Sequence, residues 1–187
     1  MTKTVGIIIP VANEEKTIVE FTNSLLQECN ELSDYHFTVY YIMDNFNKDH
    51  TDKLLYDNFK DRVQVLFNSD STGLVSCYLY GYKHCVEQKY DFVIEMDSGF
   101  SHRPEHIKQF INKLEDGNDA VFASRFLKGS NYETTLYRKS ISKIGTIVAN
   151  IWLDMYYSDA TSGFQAFRYD TLKEIDFDKF ISFGGMF

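Results

Sequence analysis

Five short apolar runs, at residues 5–9, 37–43, 63–67, 92–96 and 120–123, recur along this 187-residue chain with helix-patterned stretches between them. The runs are continuous rather than alternating, so each predicts a strand buried on both faces. Such strands, separated by helices, predict an α/β fold whose mostly parallel central sheet is flanked by helices, Rossmann-like in its winding. Helices are expected over about 14–28, shortly after Thr51, over 72–88 and 104–114, and over a long stretch near 138–156. Pro104 with Glu105 beside it suits a first helical turn and its dipole. No repeat, low-complexity segment or Pro/Gly-rich linker divides the chain, so residues 1–187 are expected to form a single domain. The apolar, uncapped ending Phe180-Ile-Ser-Phe-Gly-Gly-Met-Phe187 suggests a piece of something longer, truncated at its C-terminus.

Each apolar run ends in a polar cluster. Pro10-Val-Ala-Asn13-Glu14-Glu15 follows the first, Asp44-Asn45-Phe-Asn47-Lys-Asp49 the second and Asn68-Ser-Asp70-Ser-Thr72-Gly73 the third. Asp97-Ser98-Gly99 follows the fourth and Ser124-Arg125 the fifth. Ligands of open α/β sheets bind outside the carboxyl ends of the strands, so the edge gathering Asn13, Asp44, Asp97 and Arg125 is the site expected. Asp44 and Asn45 suit a ribose or a base, and equally a simple turn. Asn13 to Glu15 suit a ligand contact or an acidic helix start. Asp97 could hold a divalent cation bridging two phosphates. Glu95, two residues back on the same face of the strand, would either assist it or be a buried, paired acid.

The net charge of −8 argues against a nucleic-acid partner. Arg125, Lys128, Arg138, Lys139 and Lys143 form a local basic concentration, read either as an anion site or as a solvated face. No run of about 18 apolar residues marks a membrane span, and Met1-Thr-Lys leads into the first strand without a signal peptide. Cys29, Cys77 and Cys85 lack metal-like spacing and are expected as free buried thiols. Ile141, Ile144, Ile147, Val148, Ile151, Trp152 and Met155 repeat at helical spacing. Packing on the core is the default for such a stripe. With Tyr156 and Tyr157 it also suits a helix lying in a membrane interface. Asp159 to Arg168 reads as a small polar, Gly-containing loop of the kind that shapes pockets.

Taken in order, these segments resemble the family 2 glycosyltransferases of GT-A fold, in particular their dolichyl-phosphate mannosyltransferase-like branch, which uses polyprenyl phosphates. The resemblance covers about residues 4–175. It rests on Pro10-Val-Ala-Asn13-Glu14, Asp44 to Thr51, Gly73 to Gly81, Asp97 with His102-Arg-Pro104-Glu105, Ser124-Arg125-Phe126, Arg138 with Ser142, and Asp159 to Phe167. It implies an inverting transferase that moves a sugar from a UDP- or GDP-linked donor to a polyprenyl phosphate or a glycan. It implies that Pro10, Ala12, Asn13, Glu14, Asp44 and Asn45, with Ser98 and Gly99, hold the nucleotide-sugar. Asp97 would approach the diphosphate through Mg2+ or Mn2+, and Arg125, Arg138 and Ser142 would face the acceptor phosphate, with Asp97 and Arg138 the catalytic pair. The long helix would rest on the cytoplasmic face of the membrane, making the protein peripheral there. The chain departs from the family pattern at Gly99, which stands for the second Asp of the metal motif. Ser101, Asn45, Phe46, Leu74 and Ala12 are further departures. They leave open a second expectation, a catalytically impaired relative that binds a nucleotide, a lipid or a partner.

Overall fold

The computed structural model describes residues 2–71, 73–127 and 136–180, without the side chains of Leu136 and Arg138. Strand β1 (Lys3–Val11) lies mid-sheet, with β2 (Tyr35–Met43) parallel on one side and β4 (Phe92–Glu95) parallel on the other. β3 (Gln64–Phe67) extends the sheet beyond β2. Beyond β4 comes β6 (Gln165–Arg168), antiparallel to it, and then β5 (Ala120–Phe122), antiparallel to β6. The order is β3-β2-β1-β4-β6-β5. Two antiparallel steps leave β5 parallel to β4, so the sheet is mostly parallel as the apolar runs predict. β6 falls within the segment read as a loop, and the short Gln-Ala-Phe-Arg alternation gives little signal for a strand.

Side chains alternate across the sheet with period two. Val5, Ile7, Ile9 and Val11 meet α1 (Ile18–Glu31) and α4 (Ile107–Glu115) on one face, where Phe21, Leu25, Phe110 and Leu114 close the larger core. Ile8, Tyr40, Ile42 and Val93 meet α3 (Leu74–Glu87) and the short α6 (Tyr169–Leu172) on the other. α2 (Thr51–Phe59) covers the β2 side through Leu55 and Phe59. The helix expected from residue 14 begins at Ile18, after a turn closed on the Glu14 carbonyl. Pro104 opens a single 3-10 turn, Pro104–His106, that runs into α4. The three cysteines are free and buried, as expected. Burial raises Cys29 and Cys85 to about 12 and, with smaller opposing hydrogen bonds, Cys77 to about 11.

α5 (Leu136–Trp152) departs from the core-packing expectation. Of the apolar stripe, Ile141, Ile144, Ile147, Val148, Ile151 and Trp152 are exposed, Trp152 at 86%, and Tyr156 beyond the helix is 95% exposed. The inward positions are small or polar. Gly145 passes Thr161, Thr146 accepts the Ala160 N–H at 3.2 Å, and Asn150 is paired with the Tyr157 backbone in both directions. Periodicity identifies a stripe but not the medium that wets it, and here the small face is the one that packs.

Candidate functional site

The chain leaves β1 first toward β2 and β3, then crosses back to place β4 on the opposite side. The point of reversal lies between β1 and β4, where ligands of such sheets bind. Pro10 sits at this point. Ile8 accepts the Met96 N–H at 3.1 Å, so even-numbered residues of β1 turn their backbone polar groups toward β4. Pro10, two residues on, lacks an N–H where β4 has already ended, so no ladder bond is lost and a crevice opens.

On the β2 side of that crevice the two polar clusters hold each other. Asn13, in left-handed backbone at φ 61°, donates its N–H to Asn47 Oδ1 at 2.9 Å and its side-chain amide to the Phe46 carbonyl, and accepts the Lys48 N–H at 2.8 Å. Glu14 N–H donates to Thr51 Oγ1 at 2.8 Å, and Glu15 N–H to Asp49 Oδ2 at 3.0 Å. Thr51 closes the lattice by donating its N–H and hydroxyl to Asp49 Oδ1. Desolvation works against the Asp49 carboxylate, but these donors outweigh it and hold its pKa below the ordinary value. The motif residues at the ends of β1 and β2 therefore fix one another and shape the rim.

Asp44 is buried at the head of α3. Its carboxylate accepts from Phe46 N–H at 2.7 Å and from the Ser71 hydroxyl at 2.6 Å, with Cys77 Sγ at 3.4 Å. Asn45 is exposed and donates to the Ser69 carbonyl. Ala12 and Glu14 are half-buried. Ser98 is buried, whereas Gly99 is exposed and a Cβ there would meet nothing within 4 Å.

Asp97 heads a tight turn. Its Oδ1 accepts from Gly99 N–H at 3.2 Å, and its Oδ2 accepts from the Ser101 hydroxyl. Its own N–H donates to His102 Nδ1 at 2.9 Å. Phe100 takes left-handed backbone, φ 58°, and sets its ring edge-on to Phe21 at 5.4 Å. Glu95 does not join Asp97. It is buried against α3 and accepts the Tyr82 hydroxyl at 2.6 Å. Burial raises its pKa to about 7, with the Tyr82 bond pulling the other way. Of the two readings open from the sequence, the buried, paired acid is the observed one.

The third component is the loop between α5 and β6. Asp159, fully buried in its side chain, grips Arg125: Oδ2 accepts from Nε at 2.7 Å and from the backbone N–H at 3.1 Å, and Oδ1 from Nη2 at 2.9 Å. Thr161 adds two bonds to Asp159 Oδ1 and accepts from Arg125 Nη2. Burial alone would raise the Asp159 carboxyl, but the Arg125 and Thr161 bonds win and lower it. Sequence reading placed Arg125 at the edge but missed this partner, although the Asp-x-Thr spacing at 159–161 is that of a self-bonding turn. Ser142 is half-buried on α5. Lys128 and the Arg138 side chain lie outside the described residues.

Among the described residues no group of three His, Cys, Asp or Glu side chains comes together as a ligand set. Asp97 offers one carboxylate at this turn, with Gly99 two residues on, and a cation held there would draw its remaining oxygen donors from a bound diphosphate and water.

The family model "Glycosyl transferase family 2" matches residues 6–176. An undecaprenyl-phosphate mannosyltransferase of Micrococcus luteus is 35% identical over 125 residues, 65% of this chain and 50% of that protein. A polyprenol monophosphomannose synthase of Mycolicibacterium smegmatis is 27% identical over 175 residues, 91% of this chain and 63% of that one. The chain thus spans between half and two thirds of these relatives' lengths. Among solved structures, glucosyl-3-phosphoglycerate synthase of Mycobacterium tuberculosis, in complex with Mn2+, UDP and its glucosyl product, superposes with a TM-score of 0.64. It is 16% identical, over 90% of this chain and 57% of that one, and shows the shared fold.

Proposed function

We propose, for a chain that belongs to the family 2 glycosyltransferases and carries their GT-A fold, that it moves a sugar from a nucleotide-sugar donor to a polyprenyl phosphate. The observation carrying this reading is the convergence of three elements on one sheet edge. These are the crevice at Pro10, the Asp97 turn, and the Arg125–Asp159–Thr161 corner beside α5. The two curated relatives are named for mannosyl transfer involving polyprenol or undecaprenyl phosphate, which favours a lipid phosphate over a free glycan as acceptor.

In this reading the nucleotide, UDP- or GDP-linked, lies in the crevice over Pro10, Ala12, Asn13, Glu14, Asp44 and Asn45. Its diphosphate lies over Asp97, Ser98 and Gly99. The acceptor phosphate meets the corner of Arg125, Arg138 and Ser142. One oxygen of that phosphate attacks the anomeric carbon from the face opposite the donor phosphate. The bond from that carbon to the donor phosphate breaks, the nucleoside diphosphate departs, and the configuration inverts. The attacking oxygen is already anionic, so no strong base is required, and rate comes from positioning and from stabilising the leaving group. A divalent cation, present in the mycobacterial structure, would be held here by Asp97 together with the donor diphosphate and would offset charge on the leaving group.

No helix among the described residues is long and apolar enough to cross a membrane. The exposed stripe of α5, with Lys139 and Lys143 toward its start, Trp152 at its end and Tyr156 just beyond, supports peripheral seating on a membrane surface, in this reading the cytoplasmic face. Gly99 favours a second reading, a relative that binds donor without turning it over. Transfer assays with UDP- and GDP-sugars, on vesicles carrying a polyprenyl phosphate, separate the two. Wild-type transfer abolished by Asp97→Ala supports the first reading. Nucleotide binding without turnover supports the second, and full activity of Asp97→Ala removes Asp97 from the mechanism.

A further inference from the structure

His102 stands between the two halves of the site. Its Nδ1 accepts the Asp97 N–H at 2.9 Å, so that nitrogen carries no proton and the ring's N–H is on Nε2. Nε2 lies 3.6 Å from Asp97 Oδ2, and the His102 backbone N–H reaches back toward Oδ1 at 3.4 Å. One residue thereby meets the same aspartate twice, its imidazole at the backbone N–H and its own backbone N–H at the carboxylate. The ring's far side is set by the loop between α5 and β6. It stacks on Phe164 at 4.9 Å and 12°, and Gly163 runs alongside its Cε1. Phe164 is itself clamped on Phe110 of α4, 4.4 Å between centroids. That loop begins at Asp159, the residue that holds Arg125.

We propose that His102 is a positioning residue. It holds the Asp97 turn, and through it the carboxylate, by accepting the Asp97 N–H, while the stack on Phe164 keeps the ring in place for that bond. A ring that merely filled space would need the Phe164 stack alone; here Nδ1 also accepts the Asp97 N–H. The catalytic consequence rests on the transferase reading above, whereas the positioning itself does not.

Two substitutions separate the functions of the ring. His102→Phe keeps the stack on Phe164 and loses both nitrogens. His102→Asn loses the stack but places an amide oxygen where Nδ1 stands, able to accept the Asp97 N–H. The experiment uses the full chain, with imidazole and amide nitrogen-15 NMR, hydrogen exchange at the Asp97 amide, and transfer kinetics with GDP-mannose and UDP-glucose on polyprenyl-phosphate vesicles. The expected result is an Nε2–H tautomer for His102 and an Asp97 amide protected in wild type and in His102→Asn. In His102→Phe that protection falls at least tenfold. With whichever donor is used, kcat in His102→Phe falls about 100-fold, the scale of a displaced reacting group, while KM changes little and His102→Asn recovers most of the loss. An Nδ1–H tautomer, or an Asp97 amide equally protected in His102→Phe, overturns the proposal. So does a His102→Asn variant as impaired in kcat as His102→Phe. If wild type turns over neither donor, the tautomer and exchange results still decide the positioning, and only the transferase reading falls.

Discussion

Two buried carboxylates, Glu95 on β4 and Asp159 in the loop before β6, behave oppositely, and the difference lies in their partners. Asp159 is met by a guanidinium and stays ionised; Glu95 is met by one hydroxyl and keeps its proton to about pH 7. An unfolded Glu releases its proton near pH 4.3. Between about 4 and 7 the unfolded chain therefore binds fewer protons than the folded one, and Glu95 lowers stability as pH rises through that window. Glu95→Gln keeps an acceptor for Tyr82 without the charge. Urea unfolding should find it more stable than wild type by about 1–3 kcal/mol at pH 8, the advantage shrinking toward pH 4.5. An equal difference at both pH values would assign the titration elsewhere. For Asp159 the expectation is a coupled loss. Arg125→Ala leaves a buried carboxylate without its cation and costs about 3 kcal/mol. The double change Arg125→Ala/Asp159→Ala should cost less than the sum of the two single ones, which a double-mutant cycle of melting measures.

At the scale of elements, α3 lies so close on β1 that a Cβ on Gly81 would fall 2.4 Å from Ile8 Cγ2, inside any real contact. Gly81→Ala gains about 1 kcal/mol of helix propensity, but overpacking of this kind costs about 1–3 kcal/mol. Net destabilisation is the expected outcome in thermal melts. α5 gives a second test. Ile147→Ser with Trp152→Ser changes only exposed side chains, so the melting temperature should hold while co-sedimentation with anionic vesicles drops. Unchanged sedimentation would detach α5 from the membrane reading. The two helices also mark where the sequence was legible. β1 and β4 announced themselves because burial on both faces leaves unbroken apolar runs, β2, β3 and β5 through apolar runs that the structure leaves partly exposed, and their polar ends located the edge. β6, Gln-Ala-Phe-Arg with a polar residue at each end, has no apolar run to announce it. The α5 stripe was visible, but its direction depends on Gly145 and Thr146 fitting against the 157–161 loop, a contact no spacing encodes. At the site, Asp97 and Arg125 could be read from strand ends. Their partners His102 and Asp159 could not be paired with them, since Asp159 lies 34 residues from Arg125 and meets it only once β6 folds back between β4 and β5.

For the molecule as a whole, the strand-end edge is the candidate site while one long helix beside it turns its greasy side outward. Membrane seating through that face would confine catalyst and acceptor to a common plane. Encounters would then be counted per unit area rather than per unit volume. Turnover at a fixed donor level would follow the mole fraction of polyprenyl phosphate within each vesicle and stay flat when the buffer volume changes at constant surface composition and full vesicle binding. Diluting the acceptor with neutral lipid would slow the reaction even though its total amount in the tube is unchanged. A helix whose inner face is kept small enough to lie flat on the 157–161 loop would thus set not only where the protein sits but the dimensionality in which it searches for its substrate.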